Sequence, residues 1–304
     1  MWLPNVRALS TLALFFFATG IPAQTALDQR LKARIAGFQG TVSVYAKNLD
    51  TGATVGIHEA DLVRTASTIK LPILLTVFDA VERGKAKWTE RLTVVQSEKV
   101  SGTGVLASEF SNGVQLPLRD LVNLMIVLSD NTATNMILER FSADAVNAYL
   151  DRIGIEKTRS LRKILSGELA AGLSDAGKLP ANKKYGLGVT CPRDMVTILE
   201  KLERGELVSP EASKEMIAIL KRCQDAAGIR RRVGNMPVAN KTGALEALRS
   251  DVGIVYSPGG RIAMAITVDG MPTADWTPDN PGLLLIADLA RLLVEGLGKK
   301  TSIE

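Results

Sequence analysis

The chain has one histidine and two cysteines among its 304 residues. His58, Cys191 and Cys223 lie far apart in sequence, so no metal-ligand spacing exists and neither a metal nor another cofactor is expected. His58 has no motif around it, which argues against a serine activated through a histidine relay. Aromatic residues are 5% of the chain, and the densest basic run, Arg230–Arg232, has none interleaved. With a net charge of only +5, that run reads as a solvated face or a small-anion site, and no nucleic-acid partner is expected. The chain also lacks a long apolar run. ALSTLALFFFATG is too short for a membrane span. No internal repeat or low-complexity segment intervenes.

What is present at the N-terminus is a three-part pattern. MWLPNVR carries one arginine, ALSTLALFFFATG is an apolar centre, and IPAQ offers cleavage after Ala23. Residues 1–23 are therefore expected to be a signal peptide, with residues 24–304 forming a single domain in the periplasm or outside the cell and no membrane span in the mature chain. Two cysteines in an exported protein raise the question of a disulfide. Cys191 opens one expected helix and Cys223 closes the next, so a bond between them and two small buried thiols are both open readings.

TVSVYAKNL and ATVGIH alternate around the Asp50–Gly52 turn and predict a hairpin. VGIVYSP and RIAMAITVD predict another around Pro258–Gly260. ALDQRLKARIAGF has helical periodicity, and PGLLLIADLARLLVEGLG reads as a long terminal helix opened by Pro281. Between these ends the apolar spacing is mostly helical, as in LPILLTVFDAVERG and SPEASKEMIAILKRC. The fold class expected is α/β of the α+β type. An antiparallel sheet is built from both chain ends with flanking helices (about 24–66 and 225–304), and an all-helical lobe (about 67–224) is inserted between them. A crevice between sheet and lobe is the natural place for a small-molecule site.

Three polar motifs punctuate this plan. STIK places Ser67 and Lys70 three residues apart, on one face of a helix. A serine is a poor nucleophile until a base takes its proton, and a lysine does so when burial and nearby positive charge lower its pKa. SDN, at Ser129–Asn131, follows the apolar run LVNLMIVL, where a helix junction or a polar cleft wall would explain it. KTG, at Lys241–Gly243, projects a cation and a hydroxyl suited to a substrate carboxylate, while Gly243 allows close approach beside a strand.

In this order the motifs resemble those of the class A serine beta-lactamases and, more broadly, of the penicillin-recognising serine acyl-transferases. NTATN after SDN, TCPRDM at Thr190–Met195 and LERGELVSP extend the likeness over about residues 27–300. The resemblance implies the beta-lactamase/transpeptidase-like fold. It implies Ser67 as the acylated nucleophile, Lys70 as its proton acceptor and Ser129 as the proton donor to the leaving nitrogen. Asn131 would hold the substrate's side-chain carbonyl. Lys241, Thr242 and Gly243 would engage the substrate, and the backbone N–H groups of Ser67 and Ala244 would form the oxyanion hole. The expected partner is a small beta-lactam or a cell-wall peptide, and the expected state is a monomer.

The chain departs from the family's pattern in two places. Deacylation in class A enzymes uses a glutamate on a loop after SDN. Counting forward from Thr158-Arg159 puts Ile164 at that place, and counting back from Pro192 puts Asp175 there. Glu168, in GEL, is the preferred general base because activating a water needs a carboxylate and GEL keeps the leucine. After KTG the chain has Ala244 in place of a threonine or serine, and Arg230 or Arg232 is a candidate for the missing attraction. Hydrolysis of the lactam amide is the leading expectation. A D-alanyl-D-alanine carboxypeptidase, a related serine hydrolase or a penicillin-binding protein that deacylates poorly is the alternative.

Overall fold

A computed structural model describes residues 23–164 and 172–298. Glu168 lies outside the described residues, as does the expected signal peptide except for Ala23, the first residue of the helix Ala23–Ile35.

The first hairpin forms where alternation predicts it, with strand Thr41–Asn48 pairing with Thr54–Ile57. Asn48 Oδ1 accepts the amides of Asp50 at 2.9 Å and Thr51 at 3.1 Å, and Gly52 supplies the left-handed turn residue at φ 79°. The second hairpin joins Leu248–Ser257 to Gly260–Asp269, with Ser257 opposite Gly260. Strand Val238–Leu245, which carries KTG, pairs with Leu248–Ser257. The result is a five-stranded antiparallel sheet from both chain ends, with Val238–Leu245 at one edge and Thr54–Ile57 at the other.

The sheet's two faces pack into different cores. In strand Gly260–Asp269, Ile262, Met264, Ile266 and Val268 pack into one core with Leu27, Leu31 and the terminal helix Pro281–Leu297. Ala263 and Ala265, at the intervening positions, belong to the core of the helical lobe. Period two in the sequence thus becomes two layers of packing. The lobe is organised around helix Lys70–Glu82, which is buried on nearly every face, as an apolar all-round helix must be.

The lobe expected to be all-helical also carries two small sheets. One links Val63–Arg64, Gly188–Thr190 and Arg159–Ser160, and the other pairs Arg91–Thr93 with Gln115–Pro117. Strands of two or three residues are too short to show alternation, which is why the sequence does not announce them. Of the two readings left open for the cysteines, buried thiols hold: Cys191 and Cys223 are both free and buried. No helix among the described residues is long and apolar enough to cross a membrane.

Candidate active site

The three motifs meet at the junction of the two layers, around a cleft of ≈ 350 Å³. Ser67, Ser129, Asn131, Thr242, Gly243 and Ala244 line it. Lys70 and Lys241 lie behind this wall, each with no exposed surface.

Ser67 sits in a 3-10 turn, Ala66–Ile69, that leads directly into helix Lys70–Glu82. A 3-10 turn eclipses residues three apart, so it lines up Ser67 and Lys70 more closely than the predicted α-helix would. The turn is entered through Ala66 at φ 45°, a strained conformation for a residue with a Cβ. Gly243 is the close-approach glycine. A Cβ there would lie 2.8 Å from the Thr65 carbonyl oxygen and 3.1 Å from the amide nitrogens of Ser67 and Thr68. Only glycine lets the KTG strand press against the turn that holds the serine.

SDN is both a helix junction and a cleft wall. Helix Leu118–Val127 ends just before it, and Ser129 turns the chain at φ 54°. Asp130 caps the next helix, Asn131–Phe141, accepting from the Ala133 amide at 2.8 Å. Its second carboxylate oxygen accepts from Val105 at 2.6 Å and Leu106 at 2.9 Å. Asp130 is thus a buried anchor that fixes where Ser129 and Asn131 point.

Lys70 Nζ donates to the Ser129 carbonyl at 2.7 Å, to Asn131 Oδ1 at 3.0 Å and to Ser129 Oγ at 3.2 Å. Lys241 Nζ donates to the same Ser129 Oγ at 3.0 Å and to the Thr242 carbonyl at 2.8 Å. A hydroxyl has two acceptor sites and one donor. When both lysines donate to it, the acceptor sites of Ser129 are filled and its own O–H is free for a group in the cleft. Burial first, and then the positive charge of Lys241, hold the Lys70 pKa well below the ordinary ammonium range, against the pull of Asp130. Burial also lowers Lys241.

The positions debated for the water-activating carboxylate separate clearly. Ile164 lines the cleft, held by paired bonds to the Asn135 side chain: its amide donates to Oδ1 at 2.8 Å and its carbonyl accepts from Nδ2 at 2.9 Å. Asp175 opens the short helix Asp175–Lys178 on the surface, its side chain 86% exposed and paired with Lys178 at 2.7 Å. Asp175 is not among the residues that line the cleft, so counting back from Pro192 does not lead to the site.

Neither arginine suggested for the place beside Ala244 is available. Arg230 is spent on Asn240 Oδ1 at 2.7 Å and on three backbone carbonyls, those of Leu220, Lys221 and Val238. Arg232 pairs with Asp288. In the sheet, Arg249 lies directly opposite Ala244 in register and is buried. Its guanidinium stacks on the Trp276 ring at 4.8 Å, and Trp276 lines the cleft.

Thr103 was also missed. Its hydroxyl donates to the Ser129 carbonyl at 2.6 Å and to Asn131 Oδ1 at 3.2 Å. The flanking Gly102 and Gly104, at φ 108° and 102°, were its one sequence signal.

The sequence model of the beta-lactamase enzyme family matches residues 26–297. The chain belongs to that family. A beta-lactamase of Streptomyces albus G is 26% identical over 278 residues, covering 87% of this chain and 84% of that protein. A crystal structure of a beta-lactamase from Sphaerobacter thermophilus superposes with TM-score 0.76 at 28% identity, covering 89% of this chain and 96% of that one. Equally similar is PBP-A in a leucine-to-glutamate variant, solved as an acyl-enzyme complex with penicillin G, with TM-score 0.75, 29% identity and coverage of 89% and 96%. Against this family background, the alpha-plus-beta architecture expected from the hydrophobic periodicity, and implied by the resemblance, is the one found.

Proposed function

We propose that this protein opens and hydrolyses the amide of beta-lactams through an acyl-enzyme on Ser67. The observation that carries the reading is the hydroxyl of Ser129, which lines the cleft with Ser67 and lies within hydrogen-bond reach of two buried lysines, Lys70 at 3.2 Å and Lys241 at 3.0 Å. In the neutral form favoured by burial, Lys70 takes the Ser67 proton, directly or through a relay, as Oγ bonds to the lactam carbonyl. The carbonyl oxygen gains charge opposite the backbone N–H groups of Ser67 and Ala244. The C–N bond then breaks, and the nitrogen takes the Ser129 proton, which the lysines replace.

Asn131 and Thr242 engage the substrate's polar groups. Asn131 Nδ2 gives one N–H to the Ser101 carbonyl at 3.1 Å, which leaves the other for a substrate carbonyl. Glu168 is the candidate to activate the water that cleaves the ester and returns a proton to Ser67. The reading includes export, with residues 1–23 removed and residues 24–304 acting as one catalytic domain in the periplasm or outside the cell.

A second reading is favoured by one observation. The cleft wall at Ile164 is hydrocarbon, so an acyl-enzyme there meets no carboxylate from that position. That suits a carboxypeptidase acting on cell-wall peptide, or a penicillin-binding protein whose adduct persists.

Intact-protein mass spectrometry through a time course with penicillin tests both. Wild type should gain and lose one adduct, Ser67→Ala should gain none, and Glu168→Gln should gain it at the wild-type rate and release it about 10²–10⁴-fold more slowly. An adduct on Ser67→Ala at the wild-type level overturns the assignment of the nucleophile. A wild-type adduct that does not decay moves the conclusion to the second reading.

A further inference from the structure

Four large hydrophobic residues are strongly exposed among the described residues, and Trp276 is the most exposed, at 65%. Of these four it alone lines the cleft. An indole in water forgoes the burial that usually places tryptophan inside a protein. The segment that carries it is nevertheless firmly built. Met271 donates its amide to the Ala247 carbonyl at 3.1 Å. The Asp275 carbonyl accepts from Asn280 Nδ2 at 2.8 Å and from the Arg249 guanidinium, and Asp275 Oδ1 accepts the Thr277 amide at 2.8 Å. Arg231 reaches the Pro278 carbonyl and the Asp279 carboxylate. The backbone on both sides of the indole is held by these bonds, while the ring stands largely in solvent.

The ring is also fixed from one face. Arg249 donates to the carbonyls of Leu245, Leu248 and Asp275, is itself buried, and lays its guanidinium against the indole. A cation on one face of a π system draws electron density toward itself and holds the ring's orientation. The residue keeps 65% of its surface exposed, and Leu245 lines the same cleft. A rigid aromatic surface at the mouth of an apolar cleft loses little conformational entropy when a second ring stacks on it.

We propose that Trp276, backed by Arg249, is a specificity-determining platform that stacks an aromatic substituent of the substrate at the KTG end of the cleft. This rests on the reading of the site as one that binds a lactam or peptide acyl group, and its test is kept separate from acylation. The Ser67→Ala protein is titrated with paired beta-lactams that differ only in an aryl or an alkyl group, first on the acyl side chain and then on the substituent at the opposite side of the ring system. Binding is followed by tryptophan emission and by calorimetry.

One aryl series should quench the emission and bind more tightly than its alkyl partner. Adding Trp276→Ala should weaken that aryl ligand about 3- to 10-fold, the range an aromatic pair supplies, and change the alkyl ligand less than about twofold. Trp276→Phe should keep most of the preference. Equal weakening of aryl and alkyl ligands, or an aryl preference that survives Trp276→Ala in both series, overturns the proposal. Failure of the Ser67 protein to acylate would overturn the catalytic reading while leaving this binding result to be judged on its own.

Discussion

Gly243→Ala adds one methyl group where the KTG strand meets the turn that holds Ser67. The new Cβ would stand 2.8 Å from the Thr65 carbonyl oxygen and 3.1 Å from the Ser67 and Thr68 nitrogens. All three are backbone atoms, so no side chain can swing aside. Non-bonded heavy atoms prefer about 3.5–4.0 Å, and relief therefore requires the strand and the turn to part by several tenths of an ångström. Overpacking of this kind costs about 1–3 kcal/mol. At about 2–4 °C per kcal/mol for a domain of this class, the melting temperature should fall by several degrees without loss of the fold.

The catalytic cost should be larger than the stability cost. The displaced atoms include the Ser67 amide, proposed as an oxyanion donor, and the strand that presents Ala244, proposed as the other. A misplacement of about 1 Å costs about 10²-fold, and losing one oxyanion donor costs about 10²–10³-fold. A partial displacement should slow acylation about 10- to 100-fold. Time-resolved mass spectrometry of the penicillin adduct, with a thermal melt of the same sample, reads both numbers. A folded Gly243→Ala protein that acylates within about twofold of wild type would refute the claim that this contact sets the geometry of the nucleophile.

Two further outcomes follow from buried charge. Because burial and Lys241 hold the Lys70 pKa well below its ordinary value, the neutral base is present above that lowered pKa and is lost as pH falls through it. Acylation should therefore decline toward acid, and Lys70→Arg, whose guanidinium stays protonated, should lose about 10²–10⁴-fold; stopped-flow acylation across pH checks this, and a rate that rises toward acid refutes it. Burial pushes the Asp251 carboxyl up to about 7 from 3.8, despite bonds from Asn240 Nδ2 and the Ile229 amide. Between those values the folded state holds a proton that the unfolded state has lost, so stability should fall as pH rises from about 4 to 7, on the order of 4 kcal/mol in total. Denaturant titrations at several pH values should show this slope reduced in Asp251→Asn, and an unchanged slope would refute the assignment.

The elements with a strong period are legible in the sequence alone. Alternation in Thr41–Asn48 and Gly260–Asp269 and the proline-opened helix Pro281–Leu297 each declare themselves within one window of sequence. What was illegible depends on contacts between distant segments. Arg230 and Arg232 looked available because their charges are local, while the bonds that consume them come from Asn240, Val238 and Asp288. Arg249 gave no local signal, since its place opposite Ala244 follows from strand register. The state of the cysteines was undecidable for the same reason: two thiols at helix ends are described by a distance, and sequence spacing does not supply one.

The residues proposed for acylation and the one proposed to activate water differ in legibility for a related physical reason. Each acylation motif specifies a backbone shape together with a side chain. Ser129 must turn the chain at φ 54° just before Asp130 caps a helix, and Gly243 must leave room for the turn that holds Ser67. A shape needs neighbouring residues, so these functions occupy contiguous triplets that a reader can find. A base for water needs only one carboxylate in the right place, and any irregular segment long enough can deliver it. Ile164 shows how weakly numbering constrains such a segment. It reaches the cleft because Asn135, from the helix after SDN, brackets its amide and carbonyl, and that bracket would hold any side chain at position 164 toward the same wall. The proposed acylating half of the chemistry is therefore written into local sequence, whereas a single carboxylate for the releasing half leaves no such local mark.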